Sequence, residues 1–215
     1  MTGRLYLSSL TLVGDRGSDL LLGDFVRVHK LVCAGLGSER VQARALHYTE
    51  PERSHVLVQS ATPPAWDSPE VAKFARVARQ AVKDITAFHD RVRRGDNLSV
   101  RLVAVPGKKN ASVNGGRLQP AESNEAATRW LERRLLSAAV PLEIGADKLP
   151  VRSAGNTRID PYGVNPDQRP RIAFSPWEYR GLIKITDPEE FRRRVLTGLG
   201  PGKAYGFGMV RFTYV

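Results

Sequence analysis

A glycine-dense stretch near the end of the chain carries the clearest phosphate-binding chemistry. Residues 198–208 read GLGPGKAYGFG and hold five glycines around one lysine, Lys203. Glycine lets the backbone approach a ligand closely and expose its N–H groups, and the lysine adds a positive charge at the same place. We interpret Gly200, Gly202 and Lys203 as a phosphate-binding loop. The alternative is a tight connection with a solvated lysine.

The elements that flank this loop exclude the two familiar nucleotide motifs. Asp187-Pro188 is typical of a helix start, and the charged run that follows predicts a helix ending at Gly198. The loop therefore follows a helix and precedes a strand at residues 207–214. A dinucleotide fingerprint has the opposite order, and a Walker A loop needs Ser or Thr where this chain has Ala204.

Composition indicates a polyanionic partner. The 215-residue chain has a formal net charge of +11 and a pI near 10.2, which favours nucleic acid first and an anionic membrane second. No stretch approaches the ~20 apolar residues of a membrane span, the start lacks a signal-peptide pattern, and Cys33 is the only cysteine. We expect a cytoplasmic protein. The four histidines lack metal-ligand spacing, so we expect no metal site, and we expect no small-molecule cofactor.

Hydrophobic periodicity predicts two similar halves. The first half contains a strand at 5–13, a helix at 25–35 after the N-cap Asp24, and strands at 44–48 and 55–60. A long amphipathic helix is predicted from 68 to 95, with apolar residues on one face and arginines on the other.

The second half begins with a strand at 97–105 and a basic turn at 106–109. A helix over 127–138, broken at Pro141, leads to strands at 149–154, 171–174 and 182–185. The predicted fold class is α+β, with two tandem ferredoxin-like (RRM-like) domains at 1–95 and 96–215 and antiparallel sheets carrying helices on one face.

Four stretches, in this order along the chain, resemble a known family. They are VLVQS at 56–60, NLSVRLVAVP at 97–106, AATRWLERRL at 126–135 and the glycine-rich GLGPGKAYGFG. Together they are similar to the CasE-type CRISPR endoribonucleases of type I-E systems, over nearly the whole chain. The resemblance implies metal-independent cleavage of CRISPR precursor RNA at the base of the repeat hairpin. It also implies that the product stays bound in the Cascade complex, so the repeat RNA hairpin and other Cascade subunits are the expected partners in antiviral defence.

The resemblance also implies a catalytic histidine on the first helix, at His29. The family often places a tyrosine three residues earlier, where this chain has Val26, so that role cannot be transferred; Tyr6 or Tyr205 could supply a hydroxyl instead. Residues three and four positions from His29 are apolar or Cys33. This pattern alone also fits a core histidine.

Metal-independent cleavage can use the RNA's own 2′-hydroxyl as the nucleophile. It attacks the adjacent phosphorus, expels the 5′-oxygen and leaves a 2′,3′-cyclic phosphate. Histidine suits the proton transfer because its ordinary pKa is about 6.5. His29 is the predicted acid or base, and Arg27, Lys30 and Lys203 are the candidates for stabilising the transition-state charge.

Basic residues of the second half are the candidates for contacts with the hairpin stem. The resemblance implies that the hairpin flanked by Arg152 and Arg158 enters the RNA groove. The full set of predicted RNA contacts adds two glycines of the loop to the basic residues: Gly200, Gly202, Arg101, Lys108, Lys109, Arg152, Arg158 and Arg211. Each charge could also simply face water. Two other functions stay open: an RNA-holding subunit that cleaves poorly or not at all, and a general structural-RNA binder.

Overall fold

The computed structural model describes residues 3–14, 21–37, 44–109, 118–150, 152–153 and 173–215. A few of these are described by their backbone alone: Pro51, Lys108, Lys109, Leu118, Arg152, Ser153 and Ala173. No helix among the described residues is long and apolar enough to cross a membrane.

The first unit is a four-stranded antiparallel sheet with its main helix on one face. The elements are β1 (Tyr6–Leu12), α1 (Phe25–Leu36), β2 (Leu46–Glu50), β3 (His55–Ser60), α2 (Pro69–Ala72) and β4 (Val77–Asp84). The strand order is β2-β3-β1-β4, which is the ferredoxin-like arrangement of a βαββαβ chain. Alternate residues of β1 and β3 point toward α1, and Leu10, Val56 and Val58 bury there against Val28 and Val32.

The predicted helix over residues 68–95 is wrong. A single turn, α2, is followed by β4 and then by a second short helix, α3 (Thr86–Asp90). β4 pairs with β1 from Leu12↔Val77 to Tyr6↔Asp84, and its residues from 78 to 84 are exposed. The helical spacing of Val77, Ala81 and Ile85 therefore did not indicate the buried face of a helix. Pairing with a strand far along the chain outweighed local propensity.

The second unit repeats the topology. The elements are β5 (Asn97–Ala104), β6 (Gly107–Lys109), β7 (Leu118–Pro120), α4 (Asn124–Leu135), β8 (Ala139–Lys148), β9 (Arg152–Ser153), β10 (Ala173–Phe174), β11 (Trp177–Ile185), α5 (Pro188–Thr197) and β12 (Arg211–Tyr214). Its four-stranded sheet has the order β12-β5-β11-β8. Leu98, Val100 and Leu102 bury under α4 and α5 with Trp130 and Phe191. The fold is therefore two tandem ferredoxin-like units, as predicted from the sequence.

Two local predictions in this unit change, and a third is confirmed. Residues 107–109 form a strand paired with β7, not a turn. Pro141 does not end the preceding helix, which stops at Leu135; it lies in β8, opposite Ile183. β8 is an edge strand, where the missing proline N–H is tolerated, and the register shifts beside it. The predicted pairing of 149–154 with 171–174 is present as the short β9–β10 ladder.

A third apolar cluster lies where the units meet. Phe25 from α1 packs with Val103 and Val105, at the end of β5, and with Phe207. Close by, the Gln59 side chain of β3 donates a hydrogen bond to the Val195 carbonyl of α5 at 3.0 Å, and both residues are buried. These contacts fix α1 of the first unit against the end of the second unit.

Candidate functional site

His29 lies on α1, and the sequence explains why a helix begins there. The Asp24 carboxylate accepts hydrogen bonds from the Val26 and Arg27 N–H groups at 2.9 and 3.3 Å, and Gly37 closes the helix with φ of 60°. His29 is half-buried, one turn after the buried Phe25. The imidazole is therefore not a core residue, which was the alternative that its apolar neighbours left open.

The residue one turn after His29 contacts its ring. Cys33 Sγ lies 3.8 Å from His29 Nε2 and 3.9 Å from Nδ1, and the cysteine is itself half-buried. The thiol therefore contacts the imidazole of the proposed catalytic group.

Residues 198–208, here called the glycine loop, form a compact turn rather than an extended connection. Their five glycines all have positive φ, between 70° and 87°. The Gly208 N–H donates to the Val103 carbonyl at 2.8 Å, and the Leu199 N–H donates to the Gly208 carbonyl at 2.9 Å. A Cβ on Gly208 would lie 2.4 Å from the Leu199 oxygen, so glycine is required for the loop to close.

Gly200 and Gly202 have a packing role that the sequence did not reveal. A Cβ on Gly200 would lie 2.9 Å from the Trp130 ring, and one on Gly202 would lie 2.8 Å from the Phe207 ring. Both positions also have φ near 80°. These glycines let the loop lie against aromatic side chains, and the short 3-10 turn Lys203–Tyr205 lies between Gly202 and Gly206.

The fold brings the glycine loop to α1. The 3-10 turn contacts this helix, and the Phe25 ring lies 5.6 Å from Phe207 and 6.5 Å from Tyr205. His29 follows Phe25 by four residues, so both lie on neighbouring positions of one helix face. The structure thus joins the helix of His29 to the turn that carries Lys203, two stretches far apart in sequence.

Arg27 and Lys30 lie on α1 itself, but not on the helix face of His29. Arg27 is exposed and Lys30 half-buried, at positions two before and one after His29. Helix residues one or two apart do not share a face. Of the three cations predicted to stabilise the transition state, Lys203 is the one that comes from another element, the 3-10 turn that contacts α1.

Of the two tyrosines considered in place of Val26, one lies beside α1. Tyr205 is half-buried in the glycine loop, with its ring 5.0 Å from Phe174 as well as 6.5 Å from Phe25. Tyr6 is buried in β1, where its hydroxyl accepts a hydrogen bond from Arg4 Nη1 at 3.3 Å. The sequence could not separate these two, because the docking of the loop on α1 is a tertiary contact.

Two predicted RNA-binding arginines lie on the face of the second sheet that points away from α4 and α5. Arg101 and Arg211 are directly opposite each other on β5 and β12. Arg211 stacks 3.8 Å over the Tyr48 ring and approaches Glu50 at 3.9 Å, so it bridges to the first unit. No motif or spacing in the sequence indicated this contact with β2.

Arg101 lies 3.5 Å from Glu178. Burial alone would raise the pKa of Glu178, but the hydrogen bond and charge of Arg180, with the charges of Arg101 and Arg211, hold that pKa below its usual value. Glu178 is therefore ionised at neutral pH. It compensates part of the positive charge on this face.

Four further predicted RNA contacts are described only in part. The backbones of Lys108, Lys109 and Arg152 lie in the short ladders β6–β7 and β9–β10. Arg158 lies outside the described residues. Among the described residues, no group of three or more histidine, cysteine, aspartate or glutamate side chains could hold a metal ion.

The structure consists of two tandem ferredoxin-like units, and the glycine loop of the second unit contacts α1 of the first. This arrangement is that of the class of protein that the sequence resembles. Residues 5–212 match the model of the CRISPR associated protein family, and the chain belongs to that family. This confirms the resemblance to CasE-type proteins.

Relatives agree with this assignment. The CRISPR-associated endoribonuclease Cse3 of Thermus thermophilus is 27% identical over 178 residues, which cover 80% of this chain and 81% of Cse3. A structure of Cse3 bound to a 19-nucleotide RNA has a TM-score of 0.75 at 24% identity, covering 98% of this chain and 100% of that one. A chain of a CRISPR RNA-guided surveillance complex in its pre-nicking state has a TM-score of 0.69 at 21% identity, with 98% and 100% covered. The solved structures share the fold of this chain.

Proposed function

We propose that this chain is an endoribonuclease that cleaves CRISPR precursor RNA at the base of the repeat hairpin and keeps the product as a subunit of an RNA-guided complex. The relative Cse3 is an endoribonuclease, and structures of the same fold contain RNA or belong to a surveillance complex. The observation that carries the proposal is the half-buried imidazole of His29, on the helix against which the turn of Lys203 packs.

The proposed reaction needs no metal. The 2′-oxygen attacks the adjacent phosphorus and loses its proton, while the bond from phosphorus to the 5′-oxygen breaks and that oxygen gains a proton. The products are a 2′,3′-cyclic phosphate and a 5′-hydroxyl. His29 moves one of the two protons, and Lys203 stabilises the negative charge that builds on the phosphate oxygens.

Two domains, at 1–95 and 96–215, would then hold the RNA between them. The first carries His29 on α1, and the second carries the glycine loop and the short β6–β7 and β9–β10 ladders. Because Phe25 and Phe207 pack across the junction, the helix of His29 and the turn of Lys203 are held against each other. Such positioning can supply much of the rate when only one strong proton-transfer group is present.

The test compares His29→Ala with wild type on a cognate repeat RNA in EDTA. We expect wild type to give cut RNA ending in a cyclic phosphate, and His29→Ala to bind the hairpin without cutting it. His55→Ala is the matched control, because His55 is a half-buried histidine on β3 whose Nε2 lies 2.8 Å from the Ser9 hydroxyl. Full cleavage by His29→Ala would remove this residue from the reaction.

One observation favours a second candidate, an RNA-holding subunit that does not cleave. Val26 has no hydroxyl at the position where the family often has a tyrosine. The same assay separates the two functions. A shift of the hairpin in a gel without any cut product, by the wild-type protein, would support the holding subunit.

A further inference from the structure

A cleft of about 860 Å³ opens between the start of the first sheet and α5 of the second unit. Its apolar floor includes Leu5, which precedes β1, Leu46, the first residue of β2, and Leu196 of α5. Five basic side chains line it: Arg44, Arg93, Arg192, Arg193 and Lys203. Only Lys203 among these belongs to the site already described.

Positive charge dominates the cleft. Among the described residues, the acidic ones that line it are Asp90 and Glu189, against the five basic ones. His89 also lines it, but burial lowers the pKa of this histidine, so it is neutral at pH 7. Outside the lining, Glu190 pairs with Arg193 and removes part of that residue's charge. A net positive field remains, and it would attract an anionic ligand.

Two of the arginines are held in place by neutral groups. Arg192 Nη1 donates to the Val92 carbonyl at 3.0 Å, and Arg93 Nη1 donates to the Asp90 carbonyl. Carbonyl acceptors orient a guanidinium without cancelling its charge. Arg44 is exposed, and it enters β2 with φ of 48°, an uncommon conformation for a residue other than glycine.

Lys203 connects the cleft to the proposed reaction site. It lines the cleft, and its 3-10 turn contacts α1, the helix of His29. An RNA whose scissile phosphate lies near His29 and Lys203 would therefore have one of its strands leaving beside the mouth of the cleft. This step rests on the proposed function.

We propose that the cleft binds the single-stranded RNA that continues from the base of the hairpin. The described lining has no Phe, Tyr or Trp, so bases have no aromatic surface on which to stack. Recognition then depends on the backbone phosphates, and it should be salt-dependent and indifferent to the sequence of the flank. This deepens the proposed function, because it assigns a second RNA segment to a surface outside the hairpin site.

The experiment measures Kd for uncleavable RNAs carrying a 2′-deoxy group at the scissile position. Four RNAs are compared: the hairpin alone, the hairpin with a 5′ flank, with a 3′ flank, and with a flank of changed sequence. We expect one flank to tighten binding by wild type several-fold, and a changed flank sequence to have no effect. Equal affinity for all the RNAs overturns the proposal.

The variant is Arg44→Ala, and the control is Arg53→Ala, whose side chain is 81% exposed and does not line the cleft. Arg44→Ala should remove most of the flank effect and leave the hairpin alone unchanged. The slope of log K against log salt should fall by about 0.7 for each lost single-strand phosphate contact. Arg53→Ala should behave as wild type.

Other outcomes are equally decisive. If Arg44→Ala weakens the hairpin and the flanked RNA equally, the flank does not lie in the cleft. If it leaves both RNAs unchanged but weakens assembly with the partner subunits, the cleft is a protein contact and the RNA proposal is overturned. If the wild-type protein does not bind the hairpin at all, the proposed function is overturned as well. Normal cleavage without a flank effect would overturn only this inference.

Discussion

Cys33 Sγ lies 3.8 Å from Nε2 of His29, one helical turn away. The thiol is a weak hydrogen-bond donor and acceptor, and it contacts the ring from within the same helix. A contact of this kind limits the orientations that the imidazole can adopt. The only cysteine of the chain thus lies beside the proposed proton-transfer group.

Alkylation of Cys33 should inhibit cleavage. A carboxamidomethyl group on Sγ would occupy the space next to the imidazole, so we expect iodoacetamide to reduce the cleavage rate at least about tenfold, as displacement of reacting groups by about 1 Å can cost more. Cys33→Ala should cleave within a few-fold of wild type and resist the reagent. Full activity of protein shown by mass spectrometry to be alkylated would contradict the prediction.

Whether His29 acts as the acid or as the base can be determined by changing the leaving group. An RNA with sulfur in place of the 5′-bridging oxygen expels a thiolate that needs no protonation. If His29 is the acid, His29→Ala should cleave this RNA nearly as fast as wild type. If His29 is the base, the variant should stay inactive on both RNAs. Single-turnover rates on the two RNAs make the distinction, and a fast His29→Ala on the ordinary RNA would contradict both roles.

Phe25 should be needed for cleavage beyond its contribution to stability. It is 4% exposed in the cluster that joins α1 to the glycine loop, and truncating a buried phenylalanine to alanine costs about 3–5 kcal/mol. Phe191→Ala is the matched control, since Phe191 is fully buried under the second sheet. Urea unfolding measures the stability of each variant, and cleavage is assayed where both are folded. We expect the cleavage rate to fall for Phe25→Ala and not for Phe191→Ala. Equal cleavage rates for the two variants would mean that packing of the loop on α1 does not position the site.

Two glycines with nearly the same φ allow a sharp test of the glycine loop. Gly208 and Gly95 have φ of 87° and 92°. A Cβ on Gly208 would meet the Leu199 oxygen at 2.4 Å, whereas a Cβ on Gly95 has nothing within 4 Å. Gly95→Ala should cost about 1–2 kcal/mol of backbone strain. Gly208→Ala should cost more stability than Gly95→Ala, and it should also weaken hairpin binding. Similar losses of stability for the two variants would show that the loop closes without the close approach of Gly208 to Leu199.

The topology could be predicted from the sequence wherever hydrophobic spacing coincided with burial. Helix α1, with Asp24 at its start, and helix α5, with Asp187 and Gly198 at its ends, formed as predicted. β4 could not be predicted, because its exposed residues carry no burial pattern and only its pairing with β1 defines it. The site divides in the same way. His29 and Lys203 could be named as candidates, but the bridge from Arg211 to Tyr48 depends on a contact between the two units that no spacing encodes.

Stability should fall in mild acid because of His89. This residue is 4% exposed, and burial lowers its pKa from the usual 6.5, outweighing the opposing effects of the hydrogen bond to the Arg192 backbone and of Asp90. Above pH 6.5 the imidazole is neutral in both the folded and unfolded states. Below it the unfolded chain takes up a proton that the folded chain does not, so the free energy of unfolding decreases with falling pH.

Denaturant midpoints at pH 7.5, about 6.5 and 5.5 would measure this decrease. His89→Gln has no group that titrates there, so its midpoint should change less across the same range than that of wild type. His55→Gln is the matched control. It removes a histidine from the other end of the first sheet, keeps His89, and should retain the wild-type decrease. A wild-type midpoint that stays constant, or rises, as the pH falls would mean that His89 is protonated in the folded protein.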